Sequence, residues 1–266
     1  MPLDNVDEEE EELFGEMYLT DNQKAFEEVE DEYMEKKGEM MSKEYTRNKT
    51  LFEENGYVVV ARDFVSHEMA DMFTQYALFE MVNSEEPNRD EQVPGAYSNY
   101  ANNLAETLLI GLKGEVEGHT GKTLIPTYSY YRVYKAGDVL EDHKDRPACE
   151  ISATIMMGYR HAPNSEDGTE IDGIDMYNWA LHGYVNGEKK YFPHSASGAV
   201  IYKGCELEHG RDKFNVGEYS YQVQLFLHYV DADGPYAKEW AFDKRPSLGL
   251  KKETIARVYG NDTTDC

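Results

Sequence analysis

From Thr123 onward the chain reads as short strand-like runs separated by turns, and that alternation constrains the fold more than any other feature. The runs are Tyr128–Tyr134, Ile151–Met157, Lys190–Phe192, Ala199–Tyr202 and Tyr219–Val230, rich in β-branched and aromatic residues. Gly137-Asp138, Asn164-Ser165, Asn186-Gly187 and Gly217 punctuate them. Many short strands with turn residues between them predict an antiparallel sandwich or barrel, such as a jelly roll.

Upstream the spacing is helical. A helix is expected from about Thr20 to Glu54, capped by Thr20 or Asp21. Its apolar stripe, Phe26, Val29, Tyr33 and Met40, predicts packing on the outside of the domain. Gly56-Tyr57-Val58-Val59-Val60 reads as a buried strand. Ser66 then caps a helix carrying Met69, Met72, Phe73, Tyr76 and Phe79. Residues 83–100 hold Pro87, Pro94 and Gly95 and are expected to form a long loop. Asn103 to about Gly118 predicts a second amphipathic helix with Leu104, Leu108, Leu112 and Val116 inward.

Charge narrows the class. The chain has 26 Lys+Arg against 52 Asp+Glu, a formal net charge of −26. Nucleic-acid affinity comes largely from cations that neutralise phosphates, so no nucleic-acid partner is expected. Docking on anionic lipid is disfavoured for the same reason. No apolar run approaches the ~18 residues of a membrane helix, so no membrane partner is expected. Met1-Pro2-Leu3-Asp4 runs into acid rather than into a signal peptide, which predicts a cytoplasmic protein. Cys149, Cys205 and Cys266 are too scattered for a disulfide framework. Asp7 through Glu12 are consecutive acids that repel one another. The expected organisation is an acidic disordered tail at 1–19, a helix at 20–55 packing on the domain, the domain itself at 56–243, and a peripheral tail at 244–266.

Among eight histidines, only His143-Lys144-Asp145 forms H-x-D/E. In extended chain, residues i and i+2 face the same side, so imidazole and carboxylate converge. In an acidic chain one such match is no more than chance supplies. Two histidines and one carboxylate make the triad that holds non-haem Fe(II). His209, after the strand-like Ala199–Tyr202, is the candidate third ligand. Of the others, His161 and His194 lie in Pro- or Ser-containing turns and read as surface residues. His182 and His228 read as satisfied core histidines, and His67 and His119 flank helices. Thr120-Gly121-Lys122-Thr123 is no phosphate loop, because Val116 stands where the first glycine belongs. Cys149 adjoins a buried strand and reads as an inert core thiol.

The segment from Tyr131 through Tyr134, Gly137 and His143 to Asp145 resembles the Y-x-x-G … H-x-D region of 2-oxoglutarate/iron(II)-dependent oxygenases, in particular the prolyl 4-hydroxylase-like branch. Glu150–Ile155, Pro193–Ile201 and Phe226–Asp231 are similar to the strands that follow in that family, and the resemblance covers about residues 55–235. It implies a mainly β fold with flanking helices, a double-stranded β-helix (jelly roll) preceded by N-terminal α-helices. It implies that His143, Asp145 and His209 hold Fe(II), with 2-oxoglutarate and O2 on the remaining positions and ascorbate as a further candidate cofactor. The implied reaction is hydroxylation of an unactivated C–H bond, coupled to decarboxylation of 2-oxoglutarate to succinate. A prolyl residue of a peptide, or a small molecule, is the implied substrate.

One position departs from the family. Its usual Arg or Lys for the far carboxylate of 2-oxoglutarate falls here on Tyr219 or, aligned from the strand ends, on Gln222. A buried carboxylate without a partner costs several kcal/mol, so another cation is expected to reach it. Arg211 comes first, because it shares a face with His209 in extended chain; Arg132 and Lys213 follow. Tyr134, at the family's tyrosine position, would add a hydroxyl. Arg146, next to the H-x-D, is the candidate for recognising an anionic substrate group, or else an ordinary ion pair. The departure leaves two alternatives: a non-catalytic jelly-roll binding module, and a cupin-like metal enzyme that does not use 2-oxoglutarate.

Overall fold

Ser66 and Asn102 start the two helices that the capping rules assign to them. Ser66 Oγ accepts the Met69 N–H at 3.2 Å, and Asn102 Oδ1 accepts those of Leu104 and Ala105 at 3.0 and 3.4 Å. A computed structural model describes residues 21–84, 90–162 and 179–250, without the side chains of residues 21–33. The acidic tail at 1–19, the side chains of Phe26, Val29 and Tyr33, the turn at Asn164-Ser165 and residues 251–266 lie outside the described residues.

The helices are α1 (Asp21–Asn55), α2 (His67–Asn83), α3 (Asn103–Gly111), α4 (Lys113–Thr120) and the short α5 (Ala237–Trp240). The strands are β1 (Tyr57–Val60), β2 (Tyr97–Tyr100), β3 (Leu124–Lys135), β4 (Leu140–His143) and β5 (Ile151–Arg160). After them come β6 (Leu181–Val185), β7 (Glu188–Phe192), β8 (Ala199–Lys203), β9 (His209–Arg211) and β10 (Tyr221–Asp231). By chain contacts there are two units, residues 1–47 and 48–266, so the boundary falls inside α1. In the first unit Met40, on the stripe expected to pack, is 71% exposed.

In the second unit the strands form two antiparallel sheets. The larger has the order β1-β8-β5-β10-β3-β2 and the smaller β4-β9-β6-β7. This is the jelly-roll architecture expected from the strand-and-turn pattern. Side chains alternate across the large sheet. Tyr131 and Val133 of β3, Ile155 of β5, Ile201 of β8 and Val223, Leu225 and Leu227 of β10 share a buried core with Phe73, Leu109 and Val116 of the helices. Their neighbours on the opposite face, including Arg132, Tyr202, Phe226 and His228, line a cavity of about 740 Å³ together with His143, Leu181 and His209 of the small sheet. One face of the large sheet therefore holds the fold together, and the other faces the site.

Several expectations are corrected. The loop at 83–100 contains β2, which pairs Tyr97–Tyr100 with Val133–Tyr130 of β3; Pro94 and Gly95 sit in the turn just before it. The helix expected to run from Asn103 to Gly118 breaks at Leu112 (φ −92°, ψ 0°), where Gly111 and Gly114 weaken the helical preference. In α2 the buried residues are Ala70, Phe73, Thr74 and Ala77, while Met72 and Phe79 are exposed. His194 is buried rather than on the surface. Arg245, in the segment expected to be peripheral, is buried against Glu106 at 2.5 Å.

Candidate metal centre

β4 and β9 pair antiparallel, with His143 opposite His209. That register brings the two imidazoles to 4.5 Å between ring centroids. Asp145 follows β4, and its N–H donates to Gly204 O at 2.9 Å, which fixes where its side chain starts. Asp145 Oδ1 lies 3.6 Å from His143 Nε2 and 3.8 Å from His209 Nε2. The three residues thus each offer a ligand atom within 4.8 Å of the others.

Hydrogen bonds orient all three. His143 Nδ1 lies 2.8 Å from Glu141 O, and His209 Nδ1 2.9 Å from Leu207 O. A carbonyl only accepts, so Nδ1 carries the proton in each ring and the Nε2 lone pair faces the site. Asp145 Oδ2 accepts Ser152 Oγ–H at 3.1 Å, and the Tyr202 hydroxyl lies 3.2 Å from His209 Nε2. Burial opposes charge on Asp145, but the nearby imidazoles of His143, His209 and His228 outweigh it and lower its pKa. Burial likewise opposes a charged His143, and Asp145 outweighs it and raises that pKa. For His209 burial wins, and its pKa is lowered. A carboxylate and two oriented imidazoles are a donor set that fits Fe(II).

The candidate cations separate clearly. Arg132 lines the cavity, but its guanidinium is already held by four hydrogen bonds. Nε and Nη2 donate to Asp90, Nη2 also donates to Gln92 Oε1 at 2.6 Å, and Nη1 donates to the Tyr134 hydroxyl at 3.2 Å. Arg211 is fully buried and donates once, from Nη1 to Trp179 O at 2.5 Å. Among the described residues its Nε and Nη2 have no hydrogen-bond partner, and burial pushes its pKa down. Its guanidinium lies 5.1 Å from the Trp179 ring and 5.9 Å from that of Tyr134, and none of the three lines the cavity itself. Gln222 is buried between His161 (3.2 Å) and Trp179 O (3.5 Å). Lys213 and Tyr219 are exposed. Arg146 lines the cavity mouth, yet it is held by Asp243 in a bidentate pair at 2.6 and 2.9 Å and stacks 4.6 Å over Tyr128.

Sequence reasoning missed Asp90, Ser152, Tyr202 and His228. His228 does sit in the core as expected, but it also lines the cavity, with Nδ1 2.9 Å from Ser152 Oγ. Its even position on β10, in step with Gln222, Gln224 and Phe226, was the available signal. Asp90 carried none, since it lies in a polar stretch 42 residues from Arg132.

No protein-family model matches the chain, and no curated protein matches it. Solved structures do. A prolyl-4-hydroxylase from Pseudomonas putida aligns with a TM-score of 0.51 and 11% identity over 71% of this chain and 98% of that one. An oxidoreductase of the 2OG-Fe(II) oxygenase family from Burkholderia pseudomallei aligns with a TM-score of 0.52 and 15% identity over 73% and 93%. The non-heme alpha-ketoglutarate-dependent epimerase SnoN of nogalamycin biosynthesis gives 0.54 and 12% over 71% and 83%. The likeness establishes the double-stranded β-helix fold.

Proposed function

We propose that the chain is a 2-oxoglutarate- and Fe(II)-dependent dioxygenase that hydroxylates an unactivated C–H bond, with O2 as oxidant. The observation that carries this reading is the convergence of His143, Asp145 and His209 with both imidazole lone pairs turned to one point. Fe(II) held there would activate O2, which would oxidise 2-oxoglutarate to succinate and CO2 with one oxygen atom and the substrate C–H bond to C–OH with the other. The protein's own part is orientation and exclusion of water. Ser152 aims the Asp145 carboxylate. Arg211 offers two orphaned donors to the far carboxylate of 2-oxoglutarate, with the Tyr134 ring beside its guanidinium. Arg132 is held by Asp90, and this argues for a supporting role in shaping the wall rather than in binding the co-substrate.

The guanidinium also weighs against a binding module that has lost its co-substrate, because it would then be a buried cation that no carboxylate among the described residues neutralises. A peptidyl proline is the substrate class to try first. The epimerase on the same fold shows that the outcome varies, so succinate release, not hydroxyproline, is the primary readout. His143→Ala is expected to abolish 2-oxoglutarate-dependent succinate release and the visible charge-transfer band that 2-oxoglutarate gives with Fe(II) under anaerobic conditions. Full activity in that variant overturns the reading.

A further inference from the structure

Asp145 belongs to two groups of converging ligands. Besides the pair formed by His143 and His209, its carboxylate, the Cys149 thiol and the His228 imidazole each offer one atom within 4.8 Å of the other two. The Asp145 carboxylate has two oxygens with different neighbours. Oδ1 is the oxygen paired with His143 and His209 at 3.6 and 3.8 Å. Oδ2 accepts from Ser152 Oγ at 3.1 Å, and the same Oγ lies 2.9 Å from His228 Nδ1. If Ser152 gives its proton to Asp145, it can only accept from His228. Nδ1 of His228 then carries the ring proton, and its Nε2 keeps a lone pair. Cys149 completes the group from the turn after Asp145, with its sulfur 3.0 Å from the Tyr128 hydroxyl. All of it stands around the cavity wall formed by Tyr128 and His228.

We propose that Asp145, Cys149 and His228 form a second cation site, for a thiophilic divalent metal of the Zn(II) type, which shares Asp145 with the first. The chemistry of the donors separates the two. The first set is imidazole and carboxylate alone, and the second contains a sulfur. Zn(II) takes Cys, His and Asp in a four-coordinate shell, and the Tyr128 hydroxyl or a water would be the fourth ligand. Binding needs the thiolate. Burial keeps the Cys149 thiol protonated, so the incoming cation displaces that proton to solvent. Because one carboxylate serves both sites, Zn(II) here weakens Fe(II) at the first.

The site goes beyond the oxygenase reading and does not depend on it. The test uses the full chain carrying His143→Ala and His209→Ala, freed of metal and titrated with Co(II) as a spectroscopic stand-in for zinc. One equivalent is expected to bind and to develop the near-ultraviolet thiolate-to-cobalt charge-transfer band. Adding Cys149→Ser should remove that band while circular dichroism stays unchanged. Co(II) bound without the band, no Co(II) bound, or a band that survives Cys149→Ser overturns the proposal. Should the double variant fail to fold, the wild-type chain against Cys149→Ser alone decides it, by the same band. The band in the double variant, together with no succinate release from 2-oxoglutarate by the Fe(II)-loaded wild-type chain, would keep this site and sink the oxygenase reading.

Discussion

Arg211→Met tests the assignment of the co-substrate cation through two effects of opposite sign. Arg211 is fully buried and, among the described residues, has one hydrogen bond and two orphaned nitrogens, Nε and Nη2. Each orphan costs about 1–3 kcal/mol, or about 2–6 kcal/mol together. Contacts with the Trp179 and Tyr134 rings, at 5.1 and 5.9 Å, return about 1 kcal/mol each. Methionine fills most of the same volume without a charge. The metal-free variant is therefore expected to be as stable as wild type or more stable, by ~0–4 kcal/mol. With 2-oxoglutarate the sign reverses. Removing one partner of a buried ion pair costs ~3–5 kcal/mol, which weakens binding roughly 10²- to 10³-fold or more. Thermal denaturation with and without 2-oxoglutarate, on protein loaded anaerobically with Fe(II), reads both effects. Arg132→Met is the control. It leaves Asp90 buried without its cation, so it should destabilise the ligand-free protein by ~3–5 kcal/mol. Unchanged 2-oxoglutarate affinity in Arg211→Met, or a loss of ligand-free stability as large as that of Arg132→Met, refutes the assignment.

Two further outcomes follow from the packing and from burial. A Cβ at Gly204 would overlap Cys149 O and Asp145 Oδ2, so Gly204→Ala should cost ~1–3 kcal/mol in denaturant titration and weaken metal binding as well; a variant with native stability and metal affinity would show that Asp145 moves freely. Burial lowers the pKa of His194 from 6.5 to about 4, so the unfolded chain binds a proton that the folded one refuses. Its contribution is fully present above pH 6.5 and is lost as pH falls towards 4, by about 3 kcal/mol; chemical denaturation of His194→Gln across that window should show a shallower pH dependence than wild type.

The strands were legible because their side chains face two different environments. Tyr128–Tyr134 and Tyr219–Val230 advertise a sheet through their aromatic and β-branched content, and both lie within or largely within observed strands. β4 and β9 were not read as strands, and β6 only as a strand-like stretch around His182. They are three to five residues long, and β9 is His-Gly-Arg, which has no strand propensity of its own. It is a strand only because β4 and β6 flank it. β2 was hidden in the same way, its neighbours Pro94 and Gly95 marking a turn while Tyr97–Tyr100 waits for β3 as a partner.

At the site, local order along the chain was enough to nominate His143 and Asp145, because a two-residue spacing alone sets a shared face. The sequence also nominated Arg211 by the same spacing from His209. It could not rank Arg211 against Arg132, since the difference lies in what each guanidinium meets. Asp90, 42 residues away, closes on Arg132, and among the described residues no carboxylate closes on Arg211. Nor could it show that Asp145 faces Cys149 and His228 as well as the two metal-type histidines. Residue type and periodicity are properties of neighbours along the chain. Saturation of a charge and convergence of ligands are properties of neighbours in space, and only the folded sheets bring those together.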